Sequence, residues 1–236
     1  MKTGLWILCV LTLFIVACAP TTPEAPPTAP APEPPQEQVT EPVTPAPEPT
    51  KEIDSPTREL LAKHEKVTSY SYGFGELNQR DKINVKGDLI RIDLSERRGK
   101  NDEERYDIVF LDVKAKTAKG TCEASICEPK YYKTYVEAVY GAHDLEKLPL
   151  DYLGDIAYAE LGKNTQLLEN RKTQEVLVEM KDGSTGTMWL DEFYGFPFQI
   201  ELTKNDKKTT ITFYDVAINN LNDADVKVPS SFTLRQ

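Results

Sequence analysis

The chain has 236 residues, 17 of them proline, and a formal net charge of −10. An acidic chain with no basic patch excludes nucleic acid as a natural partner. Only two histidines and four cysteines are present, too few and too poorly spaced for a zinc centre.

Lys2 precedes an apolar run from Leu5 to Val16. About a dozen apolar residues suit a signal-peptide core and fall short of the ~20 that span a bilayer. Ile15-Val16-Ala17-Cys18 resembles a lipobox, with an aliphatic residue three before the cysteine and alanine directly before it. Residues 1–17 are therefore expected to be a lipoprotein signal peptide, with Cys18 the lipidated first residue of the mature chain. Ordinary secretion, with cleavage near Ala17 or Ala19, is the alternative. The lipid reading places the protein outside the cytoplasm, anchored to a membrane on the cell surface or facing the periplasm.

Residues 18–54 carry the anchor and a stalk. Between Ala19 and Asp54 lie 12 of the 17 prolines, without an apolar period. Such a segment cannot bury enough surface to fold, and predicts a disordered, partly polyproline II spacer. At ~3.1 Å per residue it reaches on the order of 100 Å. Lys51 stands there against seven acidic residues, a balance of −6; with Lys2 counted, −5 of the −10 remains for residues 55–236.

Residues 55–236 suffice for one substantial core. Ser55-Pro56 predicts a helix start, with Ser55 as cap and Leu60, Leu61 and Val67 as its apolar stripe. The period then changes to two. Tyr70, Tyr72 and Phe74 predict one strand; Ile83 and Val85, then Ile90, Ile92 and Leu94, predict a hairpin about Gly87; Tyr106, Ile108 and Phe110 predict a further strand. Tyr131 to Tyr140 is ambiguous. Leu150 to Leu161 predicts a helix, because Leu150, Leu153, Ile156, Ala157 and Leu161 share a face at helical spacing. Strands resume at Val176, Val178 and Met180, turn at Asp182-Gly183, and continue through Thr187–Leu190, Phe198–Leu202 and Thr209–Val216. The count is about eight to eleven.

Met188-Trp189-Leu190-Asp191, Gly195-Phe196-Pro197, Phe198 to Leu202, Ile211 to Ile218 with Asn219, and the closing Val228-Pro229-Ser230-Ser231-Phe232 resemble the C-terminal half of the LolA/LolB-like lipoprotein carrier superfamily. Val85-Lys86-Gly87 to Ile90-Arg91-Ile92 is similar to its second hairpin. The resemblance implies a mainly β (α+β) fold: a curved antiparallel half-barrel over residues 55–236, its concave apolar face covered by helices and able to hold acyl chains. It departs from the soluble carrier in having its own lipid site and a cysteine-bearing insertion near Cys122.

Cys122 and Cys127, in an exported domain, are expected to form a local disulfide. No Gly-rich phosphate loop, metal-binding helix or nucleophile elbow occurs, so no enzyme activity, metal or cofactor is expected. The acidic runs Asp102-Glu103-Glu104 and Asp223 with Asp225 read as solvated turns. The aromatics remain: Tyr70, Tyr72, Phe74, Trp189 and Phe198, with Ile90, Ile92 and Phe110, are the candidate lining of a lipid-binding concavity. Tyr131, Tyr132 and Tyr135 could join them. The bland alternative for each is core. The resulting expectation is a monomeric, membrane-anchored, non-catalytic protein that binds a lipid, acyl chain or lipoprotein; the rival is an envelope interaction module with a self-filled core.

Overall fold

The computed structural model describes residues 52–235 except 77–78, 100–103 and 124–126. The proposed signal peptide, Cys18 and nearly all of the stalk lie outside the described residues. The chain enters through α1 (Ser55–Ala62). Asp54, one residue earlier than the predicted cap, accepts from the Thr57 amide at 3.0 Å, and Pro56 occupies the first turn where no amide partner is needed.

Two sheets follow. The first runs β12-β1-β2-β3-β4-β5-β6-β13 and the second β11-β10-β9-β8-β7. In the first, β1 (Tyr70–Phe74), β2 (Asp81–Lys86), β3 (Leu89–Arg98), β4 (Tyr106–Asp112), β5 (Thr117–Thr121) and β6 (Thr134–Ala138) form a meander. After the short helix α2 (Asp151–Gly154), β7 (Ile156–Leu168), β8 (Arg171–Met180), β9 (Thr185–Asp191), β10 (Pro197–Lys204) and β11 (Lys207–Thr212) form the second. The chain changes sheet at Phe213, and β12 (Tyr214–Ile218) pairs back with β1. Two-residue β13 (Thr233–Leu234) adds to β6 in parallel. The fold is thus mainly β, open and not closed into a barrel, as expected for a half-barrel.

The hydrophobic face of each sheet is buried against the other. Ile83, Val85, Ile90, Ile92, Val109 and Leu111 from the first share one cluster with Val176, Val178, Met188, Leu190, Phe198 and Ile200 from the second. The expected helical cover is therefore supplied mostly by the five-stranded sheet, with Leu60 of α1 and the connection between β6 and β7 completing it.

The predicted helix over Leu150–Leu161 is incorrect beyond Gly154. A bulge between Ile156 and Tyr158 puts Ile156, Ala159 and Leu161 opposite Met180, Val178 and Val176. The extra residue turns a spacing of two into three, so a bulged strand imitates helical spacing. Among the described residues strands number 13 rather than eight to eleven, because β7 replaces that helix, Thr209–Val216 divides at Phe213, and the C-terminal pair adds β13.

Turn chemistry fixes the hairpins. Asn205 and Asp206 carry φ of 50° and 61°, and Glu169 and Asn170 carry 51° and 61°, the twin positive values of a type I′ turn. Asn219, at φ 58°, ties the end of β12 to the start of β1: its side-chain oxygen accepts from the Thr68 amide at 2.7 Å and its amide group donates to the Lys66 carbonyl at 2.9 Å. Gly186 in β9 is required for a different reason, since a Cβ there would fall on the Glu201 carbonyl oxygen. Alanine ordinarily suits a strand better than glycine, yet Gly186→Ala is expected to destabilise by about 1–3 kcal/mol in urea unfolding. A neutral result would contradict this packing of β9 against β10.

Candidate binding site

An aromatic cluster runs through the space between the sheets. Tyr70 meets Phe196 edge to face at 5.2 Å, Tyr72 meets Phe213 at 5.3 Å, and Phe196 lies 6.1 Å from Phe198. Such contacts add about 0.5–1.5 kcal/mol each beyond area burial. Burial and the nearby Asp151 carboxylate push both the Tyr70 and Tyr72 phenols far above their ordinary range, so both stay neutral.

The cluster reaches a cleft of about 290 Å³ lined by Tyr72, Phe74, Leu145, Lys147, Tyr152 and Phe213. Phe74 is 48% exposed there. Lys147 stands over the Tyr152 ring, 4.1 Å from its centre, and its ammonium bonds the Asp155 carboxylate at 2.5 Å, which holds that carboxyl below the usual range. The mouth therefore joins aromatic and aliphatic walls to a rim that carries the Lys147–Asp155 ion pair and the Glu146 carboxylate. A second cleft of about 350 Å³ includes Arg98, Tyr106, Val136, Val139 and His143. Residues 139–154 lie between the two.

The structure divides the predicted lining. Tyr70, Tyr72, Ile90, Ile92 and Phe198 all face the inter-sheet core and are buried. Of these only Tyr72 reaches the cleft, together with Phe74. Phe110 is a correction: it pairs with Arg91, whereas Val109 and Leu111 oppose Ile92 and Ile90. The phase of β4 is thus one residue from that predicted, and Phe110 lies on the other side of the sheet, beside Val226 and Val228. Trp189 is another, since it pairs with Glu175 and Gln199, opposite in phase to the inward Met188 and Leu190. Alternation alone could not give the phase of β4, because both its faces are covered. Leu145, Glu146, Lys147, Tyr152, Ile211 and Phe213 make up the rest of the lining, and the sequence pattern does not mark them as such. Tyr152 lies in α2, the part of the predicted helix that the structure keeps, but it is not among the residues read as that helix's apolar face.

Cys122 and Cys127 are joined as a disulfide, with Cα atoms 6.0 Å apart. The Asp107 carboxylate lies beside the two sulfurs and accepts from the Glu123 amide at 2.9 Å. The disulfide removes the thiolates a metal would need. Asp223 pairs with Lys86 and Lys227 at 2.8 Å each, and Asp225 accepts from the Asn222 amide, so this acidic run braces its own turn. Asp102 and Glu103 lie outside the described residues. Among the described residues no helix is long and apolar enough to cross a membrane.

No family model and no curated protein sequence matches the chain. Among solved structures it is similar to an uncharacterized conserved protein from Thermus thermophilus, at 9% identity and a TM-score of 0.40 over 76% of this chain and 98% of that one. It is similar to MucB at 10% identity and 0.43, over 76% of this chain and 65% of that one; MucB has also been solved with MucA from Pseudomonas aeruginosa. A LolA superfamily protein from Nitrosomonas europaea is also among the similar structures, at 10% identity and 0.27 over 72% of this chain and 96% of that one.

Proposed function

We propose that this protein is an extracytoplasmic lipoprotein, anchored to a membrane through Cys18, whose folded part takes up a lipid or acyl chain without changing it chemically. The observation that carries the ligand reading is the aromatic cluster, which continues from the core into an open cleft and ends on the half-exposed Phe74. A cleft of about 290 Å³ is at the small end of ligand sites, which run ~300–1,000 Å³. It admits the end of a chain while residues 139–154 are in place, and a whole chain only when they move aside. The protein works as a monomer, with the membrane and the apolar ligand as its partners. On a fixed anchor it presents or receives its ligand within reach of the stalk.

A second reading is favoured by the interior itself. Phe196, Met188, Leu190 and Ile200 are fully buried, so the core is complete without a ligand, as in an envelope interaction module. Titration with a fluorescent fatty acid separates the two: saturable binding supports the carrier, and no binding supports the module. The anchor is tested apart from the ligand. Cys18→Ser is expected to shift the protein from membrane to soluble fraction, and persistence with membranes would contradict lipidation at Cys18.

A further inference from the structure

Residues 139–154 cover the inner face of the eight-stranded sheet between the two clefts. Ala142 and His143 line one cleft, and Leu145, Lys147 and Tyr152 line the other. The segment rests on the core through leucines and tyrosines that are mostly half-buried, among them Leu145, Leu148, Leu150 and Tyr152. Its polar tie to the eight-stranded sheet is made by His143, whose Nε2 lies 2.8 Å from the Tyr106 hydroxyl, while at its far end the Gly154 carbonyl accepts from Lys181 Nζ, just after β8, at 2.6 Å. The two rings also meet edge to face at 5.5 Å. Tyr106 is itself seated over Gly120, where a Cβ would collide with its ring. His143 is only 8% exposed.

We infer that His143 and Tyr106 form a proton-operated latch: neutral His143 holds residues 139–154 down between the clefts, and protonated His143 releases them and opens both.

The groups facing His143 decide the direction. Arg98 of β3 opposes a proton on the imidazole and Asp81 of β2 favours one. Glu104, just ahead of β4, and Glu137 of β6 line the same cleft, and Asp144 follows in the chain. Burial is the largest influence, Arg98 adds to it, and together they hold His143 below its ordinary range. Burial pushes the Tyr106 phenol up, so it stays neutral throughout.

A neutral imidazole can bond the phenol through one nitrogen. The imidazolium has two N–H donors, of which the phenol can accept one, and carries a charge that this site solvates poorly. Because the folded group titrates below the unfolded one, the closed state keeps its full stability above about pH 6.5 and loses it progressively as pH falls below that value. Local opening of a weakly held segment costs less than unfolding two packed sheets, so the segment is what gives way.

The latch serves the ligand site proposed above, but it can be read without any ligand. Hydrogen exchange of amides 143–154 is followed by mass spectrometry in the full chain and in His143→Phe, and expressed as the ratio of the two at the same pH. This ratio cancels the intrinsic pH dependence of exchange. It is expected to rise at least about threefold between pH 7.5 and 5.5, while Tyr106→Phe speeds exchange already at pH 7.5. If His143→Phe loses its near-ultraviolet dichroism, His143→Gln, which can still bond the phenol but does not titrate, takes its place. A ratio that stays flat overturns the latch, whether or not the protein binds a fatty acid. Fatty-acid binding that fails while the ratio rises overturns the carrier and leaves the latch.

Discussion

Phe196→Ala is expected to cost about 3–5 kcal/mol of fold stability, seen as a lower urea midpoint at unchanged slope. Phe196 is completely buried and sits at the join of three elements. It touches Tyr70 of β1, Phe198 of β10 and Phe213 at the sheet change, with centroids at 5.2, 6.1 and 6.5 Å. Gly195 beside it, at φ 62°, lies so close to the Leu60 carbonyl that a Cβ could not be accommodated. The backbone around the cavity left by truncation is thus pinned and cannot collapse to fill it. A loss below about 1 kcal/mol would mean that the two sheets do not share this core.

Phe74→Glu is expected to weaken fatty-acid binding at least about tenfold, or ~1.4 kcal/mol, while changing stability by no more than about 0.5 kcal/mol. Phe74 contributes an exposed ring to the cleft mouth and little to the core, being 48% exposed at the end of β1. Its strand partner is Asp81. A second carboxylate there sets two like charges opposite one another and wets the apolar wall. Unchanged affinity would show that the ligand enters elsewhere.

The parts of this fold legible in the sequence are those where one face is buried and the turns declare themselves. Ile83, Val85, Ile90 and Ile92 alternate cleanly around Gly87, and the observed register pairs Ile83 with Ile92 and Val85 with Ile90. Asp182-Gly183 and Asn205-Asp206 likewise mark real hairpins. The illegible parts have physical causes. The β7–β8 turn uses Glu169-Asn170, and glutamate is no turn signal. The bulge at Ile156–Tyr158 gives a strand the apolar spacing of a helix. In β4 the run from Ile108 to Leu111 is buried on both sides, by the second sheet on one and by the C-terminal segment with Val226 on the other. Such a run carries no phase, which is why alternation assigns Phe110 to the wrong face. The cleft is legible only in part, since Tyr72 and Phe74 come from a readable strand but Leu145, Tyr152 and Phe213 meet them through tertiary placement.

Uptake of an apolar ligand is tested most directly by native mass spectrometry of the protein purified from membrane-containing extract under non-denaturing conditions. The proposed function predicts a population heavier than the processed polypeptide, with an excess that collisional activation releases as a lipid or fatty acid and that Phe74→Glu reduces. A spectrum holding the Cys18-lipidated polypeptide alone, with no releasable excess mass and no fatty acid taken up when it is added back, would contradict it.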